Sequence, residues 1–213
     1  ARTRAERRVS SIALGRYFRG LARQPAPGVG ASRALDSSSL DALDQIGPLL
    51  PRLARRAIRS FLSSGVLLSE ELPNAPRAPV FVTLRKPDGS LRGCIGSLNA
   101  VEPDVAPETE RSAVLAATRD PRFEPVRLDE IDGLSIDVSV LLPRQSITDA
   151  RQLDPARFGV VVSDAHGRQG LLLPGVPGID DPLLQVELAR RKAGVAPGAE
   201  VVLSRFEVRK FPA

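Results

Sequence analysis

The sequence predicts an α+β fold with antiparallel sheet. Three observations carry that expectation. The run "PVFVTLRKPDGSLRGCIGSL" (79–98) places two β-rich stretches around Pro87-Asp88-Gly89, where Pro presets φ and Gly supplies a positive φ. "FGVVVSDAHGRQGLLLP" (158–174) repeats that pattern and turns at Asp164–Gly167. Helical stretches alternate with these hairpins without the strand–helix–strand rhythm of a parallel sheet.

The elements follow in order. Residues 1–23 can form a short basic helix, with Leu14, Tyr17, Phe18 and Leu21 on one face and Arg16, Arg19 and Arg23 opposite. A membrane-surface helix, a partner-docking helix, an organellar transit peptide and a mobile tail all fit that pattern. "QPAPGVGASRALDSSS" (24–39) reads as a linker. From Pro48, the residues Leu49, Leu50, Leu53, Ala54, Ala57, Ile58, Phe61 and Leu62 form a helical stripe. Pro48 and Pro51 fit only its first turn. Arg52, Arg55, Arg56 and Arg59 read as its solvated face. After the first hairpin, residues 106–123 start a helix at Pro107 that stops near Asp120-Pro121. "LDEIDG" (128–133) reads as a solvated turn. "LSIDVSVLLP" (134–143) alternates as a strand. "DPLLQVELARRKAG" (181–194) is a helix capped by Asp181, with Pro182 at its first position and Gly194 as terminator. "EVVLSRFEVRKF" (200–211) closes as one strand.

Composition bounds the class. The chain is 42% hydrophobic and 26% charged over 213 residues, a globular balance with enough length for a core without staples. Its single cysteine rules out an internal disulfide and predicts a reducing, cytoplasmic setting. No apolar run is long enough to span a membrane. The chain does not start with Met, which predicts trimming or processing. Arginine supplies 27 of the 30 basic residues, a bias that reads as coding drift. Residues 1–40 hold eight arginines against Glu6 and Asp36, a net of +6; the remainder holds 22 basic and 23 acidic residues, a net of −1. Residues 1–40 are therefore expected to be a basic, disordered tail and linker, and 41–213 the folded domain. No strong nucleic-acid binding by that body is expected.

One cysteine and one histidine, His166, are too few for the common zinc sites or a cysteine-ligated iron–sulfur cluster. Neither G-x-G-x-x-G nor a phosphate-cradling G-x-x-x-x-G-K-[ST] occurs, so no cofactor or metal is expected. Cys94 remains. In a strand it shares a face with Arg92, about 7 Å away, where a guanidinium favours a thiolate. Gly93 and Gly96 leave room beside the sulfur for a ligand or another backbone. The opposing reading makes Cys94 a buried packing residue. His166, at a hairpin tip, is a weak partner for it. In "RDPRF" (119–123), Arg122 can reach back to Asp120 or Asp129.

"LRGCIG" (91–96), followed in order by "DPRFEPV" (120–126), "SIDVSVLLP" (135–143), "GRQGLLLP" (167–174) and "RKAG" (191–194), resembles the AMMECR-one domain family over about 48–213. The resemblance implies two interleaved lobes with antiparallel sheets and a cleft between them. It lines that cleft with Arg92, Gly93, Cys94, Ile95 and Gly96, and sets Asp120, Pro121, Arg122 and Phe123 nearby. It also implies association with a Memo-like protein and a radical S-adenosylmethionine enzyme. Two positions depart from the family pattern: Pro174 is followed by "GVPGIDD" rather than by Gln, and Arg190 stands where a second cysteine is common. Two functions follow as expectations. Cys94 and Arg92 are the catalytic candidates of an enzyme-system component, or the protein is a non-catalytic module gripping a protein or peptide.

Overall fold

Asp36 opens the first helix of the described residues. The computed structural model describes residues 35–67 and 70–213, so the basic helix expected over 1–23 and the first part, 24–34, of the linker expected over 24–39 lie outside it. Asp36 accepts the Ser39 backbone N–H at 2.9 Å and caps α1 (Ser37–Ile46). Ser37–Ser39, read as linker from their composition, are therefore its first turn. A 3-10 turn with Pro48 leads into α2 (Leu50–Ser64), where Pro51 sits in the first turn. Leu50, Leu53, Ala54, Ala57 and Ile58 are buried along one stripe, and Gly65, at φ 68°, ends the helix.

The first hairpin forms as its turn dictates. β1 (Val80–Arg85) pairs with β2 (Leu91–Gly96), and Gly89 takes φ 80°. β1 also pairs with β3 (Ser135–Leu141), and β8 (Val208–Phe211) completes a sheet in the order β2-β1-β3-β8. Val80, Val82 and Leu84 of β1 and Ile136, Val138 and Val140 of β3 are fully buried on one face of that sheet. Covering this face is α3 (Val105–Thr118), capped by Asp104 and packed against α2 on its other side. α3 is buried continuously from Glu108 to Ala117.

That burial includes charge. Glu108 is fully enclosed and accepts the backbone N–H groups of Val101 and Glu102, both at 2.7 Å. Burial raises its pKa against the pull of those bonds and of Arg111. Arg111 lies 3.6 Å from Glu108 and donates to Ser97 Oγ at 3.1 Å. Together they tie the segment after β2 onto the helix.

The face of α2 read as solvated is only partly so. Arg55 donates to the carbonyls of Ile131 and Leu134, and Arg59 pairs with Asp132. Their targets lie in and beside "LDEIDG", which is a 3-10 helix (Leu128–Gly133) with Ile131 fully buried rather than a solvated turn.

The second unit, 141–209, holds a sheet in the order β4-β7-β5-β6. β5 (Gly159–Ser163) and β6 (Gln169–Leu172) form the expected hairpin, with Gly167 at φ 78°. α4 (Pro182–Lys192), capped by Asp181, packs on both. The short β4 (Gln145–Ile147) was not apparent from composition. β7 (Val202–Phe206) and β8 correct the single strand expected over 200–211: the ladder breaks at Glu207, and the two pieces belong to different sheets.

Helix α3 approaches β2 so closely that a Cβ on Gly93 would sit 2.3 Å from the Ala116 carbonyl oxygen. We predict that Gly93→Ala lowers stability by about 1–3 kcal/mol, because helix and strand must separate. The urea midpoint measures this; an unchanged midpoint would show that α3 moves away without cost.

Candidate functional site

β2 is an edge strand of its sheet, and "LRGCIG" is that strand. Its side chains alternate, so Arg92, Cys94 and Gly96 share the face turned away from α3, while Gly93 and Ile95 face the helix side. Ile95 packs against the hydrophobic core and Gly93 against Ala116. The glycine at 93 therefore serves the helix contact rather than access to the sulfur. Gly96 accommodates a ring: a Cβ there would lie 2.4 Å from Cγ of Phe81, its partner across the strands.

Register sets the neighbours of the thiol. A shift between Leu84 and Arg85 brings Thr83 opposite Cys94, and Thr83 is opposite Asp137 on its other side. The row Cys94–Thr83–Asp137 thus crosses three strands on one face. Cys94 Sγ lies 3.3 Å from Thr83 Oγ1, and either can donate. Cys94 is half-buried and Thr83 nearly buried. Arg85 stands 3.8 Å from the Asp137 carboxylate.

Edge strands present unpaired backbone groups. At Cys94 these are taken by the loop after α3. Its N–H donates to Asp120 Oδ2 at 2.8 Å, and its carbonyl accepts from Arg122 Nη2 at 3.4 Å. Asp120 also receives the Arg122 side chain at two points, Nε to Oδ1 at 2.9 Å and Nη2 to Oδ2 at 2.7 Å, and the Arg122 backbone N–H at 3.1 Å. The Asp120 carboxylate is enclosed while the Arg122 side chain is 53% exposed. Burial pushes the Asp120 pKa upward. The bonds from the Arg122 side chain, the Cys94 backbone and the Arg122 backbone outweigh it and bring it down to about 2. Asp120 in turn raises the pKa of Arg122, and so, more weakly, does the nearby Cys94. Arg122 also lies over the Phe123 ring, 5.4 Å from its centroid, with Pro121 exposed beside it.

Arg92 has a different use from the one its spacing suggested. Its guanidinium donates to both carboxylate oxygens of Glu130, at 2.9 and 3.1 Å, and to the carbonyls of Glu124, at 2.8 Å, and Pro125, at 3.4 Å. Arg92 is nearly buried in this set of partners. The Arg92 bonds hold the Glu130 pKa down against burial. Asp129, the other expected partner of Arg122, pairs with Arg127 instead. The guanidinium beside Cys94 that keeps an open side is therefore Arg122. His166 stands at the hairpin tip, its backbone N–H on Asp164. Among the described residues, no group of three or more His, Cys, Asp or Glu is placed to hold a metal. Thr83 and Asp137 were not legible from sequence, because only the register shift in the hairpin sets Thr83 beside Cys94.

The comparisons with known proteins show the family and the fold. The AMMECR1 family model matches residues 51–211. A Thermotoga maritima protein is 40% identical over 164 residues, which cover 74% of this chain and 94% of that one. A longer Clostridium acetobutylicum protein is 36% identical over 167 residues, 75% of this chain but 35% of its own length. The crystal structure of an uncharacterized protein from Pyrococcus horikoshii superposes with a TM-score of 0.72 at 33% identity, covering 79% of this chain and 91% of that one.

The Asp120 geometry gives a pH prediction. Its folded pKa, about 2, lies below the unfolded value near 3.8, so its stabilising contribution is complete above the unfolded value and lost as pH falls toward 2. Asp120→Asn should cost about 1–3 kcal/mol at neutral pH and flatten the acid limb between pH 4 and 2. Equal acid sensitivity in variant and parent, followed by circular dichroism, would contradict the assignment.

Proposed function

The chain belongs to the AMMECR1 family, and from that premise we propose that Cys94 is its functional thiol, in a component of an enzyme system that includes a Memo-like protein and a radical S-adenosylmethionine enzyme. The partners come from the family resemblance. The thiol comes from the site: a half-buried sulfur on an edge strand, its backbone fixed by Asp120 and an exposed guanidinium anchored next to it. That last feature carries the reading. Asp120 holds Arg122 by two bonds, so the cation stays beside Cys94 without a large entropy cost on each encounter. Such a pair suits uptake of an electrophile or a modifying group that carries negative charge. Thr83 adds a hydroxyl within hydrogen-bonding reach of the sulfur. Arg92 is a positioning residue in this scheme: through Glu130 and the Glu124 and Pro125 carbonyls it fixes the loop that carries Asp120 and Arg122.

A specific observation favours a second reading. Pro121 and Arg122 are exposed and Phe123 half-buried at the edge of β2, and aromatic and arginine side chains are enriched where proteins dock. In that reading the surface grips a protein or peptide, and Cys94 contributes only its size.

Two alkylating reagents separate the readings. Native protein is treated with neutral iodoacetamide and anionic iodoacetate, and the Cys94 adduct is followed by mass spectrometry. We expect modification in the folded state, with iodoacetate favoured by Arg122. Arg122→Gln should lower the iodoacetate rate several-fold while leaving iodoacetamide nearly unchanged, since screened charge pairs of this kind are modest. A thiol that reacts only after unfolding would reject the functional-thiol reading and leave the docking surface.

A further inference from the structure

Thr83 stands in the middle of the row Cys94–Thr83–Asp137 and is only 9% exposed. Its strand lies between β2 and β3, so its backbone is paired within the sheet. Its hydroxyl makes one hydrogen bond among the described residues, and the partner is Cys94 Sγ at 3.3 Å. Packing alone would be served by valine, which has nearly the same shape and fits a strand.

The charged groups that face the sulfur come in pairs. Across the row, the Asp137 carboxylate of β3 has Arg85 of β1 at 3.8 Å. On the loop after α3, Asp120 holds Arg122 by two bonds, and Arg122 reaches the Cys94 carbonyl rather than Sγ. On β2 itself, Arg92 is taken up by Glu130 and the loop carbonyls. None of these cations donates a hydrogen bond to the sulfur. Thr83 Oγ1 is the group that can. A thiol and a hydroxyl each donate and accept, but a thiolate only accepts. A hydroxyl hydrogen rotates to suit its partner, so ionisation of Cys94 requires only that the Thr83 hydrogen turn to the sulfur.

We propose that the Thr83 hydroxyl is the hydrogen-bond donor that stabilises the Cys94 thiolate. It occupies the sulfur on the side of β1 and leaves the remaining lone pairs to an incoming electrophile. The proposal rests on the functional-thiol reading and adds to it the residue that supports the nucleophile from within the sheet.

The test is the rate at which neutral iodoacetamide alkylates the full, folded chain, from about pH 6 to about pH 10, on either side of the ordinary thiol range. Mass spectrometry follows the Cys94 adduct in the parent, Thr83→Val, Thr83→Ser and Thr83→Ala. In that reaction the thiol proton goes to solvent, the C–S bond forms as the C–I bond breaks, iodide leaves, and Thr83 keeps its own proton. Loss of a hydrogen bond to a charged group should lower the thiolate population about tenfold. It also makes each thiolate a stronger nucleophile, by about threefold for that change in population. Thr83→Val should therefore react about threefold slower than the parent at the acid end and about threefold faster at the alkaline end, so that the two profiles cross. Thr83→Ser keeps the donor and should follow the parent. Serine and alanine at this position differ by the hydroxyl alone, so that pair repeats the comparison where valine disturbs the strand.

Profiles of the parent, Thr83→Val and Thr83→Ala that superpose would overturn the proposal. So would a rate lowered by one factor at every pH in both variants, which marks a disturbed strand rather than a lost donor, or a Thr83→Ser that behaves as Thr83→Ala does. Each of these results leaves the functional thiol standing, because Cys94 still reacts in the folded chain. A thiol that stays unreactive until the chain unfolds would instead reject that reading, and the donor with it.

Discussion

Helix α3 is enclosed by α2 on one side and by β1 and β2 on the other, and the neighbouring sequence answers to that enclosure. A helix buried all round leaves no side for water, so its polar residues must find partners inside. Glu108 takes two backbone N–H groups of the segment that leads into the helix, Thr109 returns its hydroxyl to the Val105 carbonyl, and Ser112 reaches the Val80 carbonyl of β1. Close packing also removes side chains from what touches it. Small residues, Ala113, Ala116 and Ala117, face the core from the helix, and Gly93 faces the helix from the strand. The glycine before the cysteine is thus explained by the back of the strand, and the Cys94 thiol lies on the front.

The same helix decides what happens at the sheet edge. The chain leaves α3 at Arg119, turns through Asp120–Phe123, and is bonded back to the helix by the Val126 N–H on the Ala117 carbonyl at 2.7 Å. That return places Asp120 and Arg122 alongside β2, where carboxylate and guanidinium imitate the acceptor and donor of a neighbouring strand. One slot of an exposed edge is thereby closed to pairing by another chain. The arrangement also leaves a cation beside the only thiol. The bonds that close the edge also hold the cation beside Cys94, so a variant of Asp120 affects both.

Much of this fold was legible in local chemistry. Both hairpins followed from turn residues that supply a positive φ, at Gly89 and Gly167. The stripe of α2 and the cap and terminator of α4 stood where spacing placed them. What escaped depended on tertiary context. "SSS" before α1 has the composition of a linker, yet Asp36 turns it into a first helical turn. "LDEIDG" looks polar, but Ile131 is fully buried and the segment is the target of Arg55, Arg59 and Arg92. Residues 200–211 carry one strand pattern, and nothing in it shows that pairing is divided between two sheets at Glu207. At the site, the sequence expected Cys94, Asp120 and Arg122 near one another, as their bonds place them, while Arg92 is bonded to Glu130 and to two loop carbonyls rather than left open beside the thiol. A one-residue shift in the hairpin replaces Val82 by Thr83 opposite the cysteine, and such a shift moves a strand's side chains to the other face.

The arginine bias acquires a physical meaning at particular positions. As a composition it read as coding drift. Arg55 spans two carbonyls, Arg92 joins one carboxylate to two carbonyls, and Arg122 grips Asp120 while touching the Cys94 carbonyl. Each needs several donors fixed in one plane. Lysine offers three donors on one compact ammonium at the end of a flexible stem and does not reproduce that planar fork. The segment 120–134 is held by these forks together with the burial of Val126, Ile131 and Leu134. The loop that completes the Cys94 site is therefore ordered by the same arginines that, counted in the sequence, looked incidental.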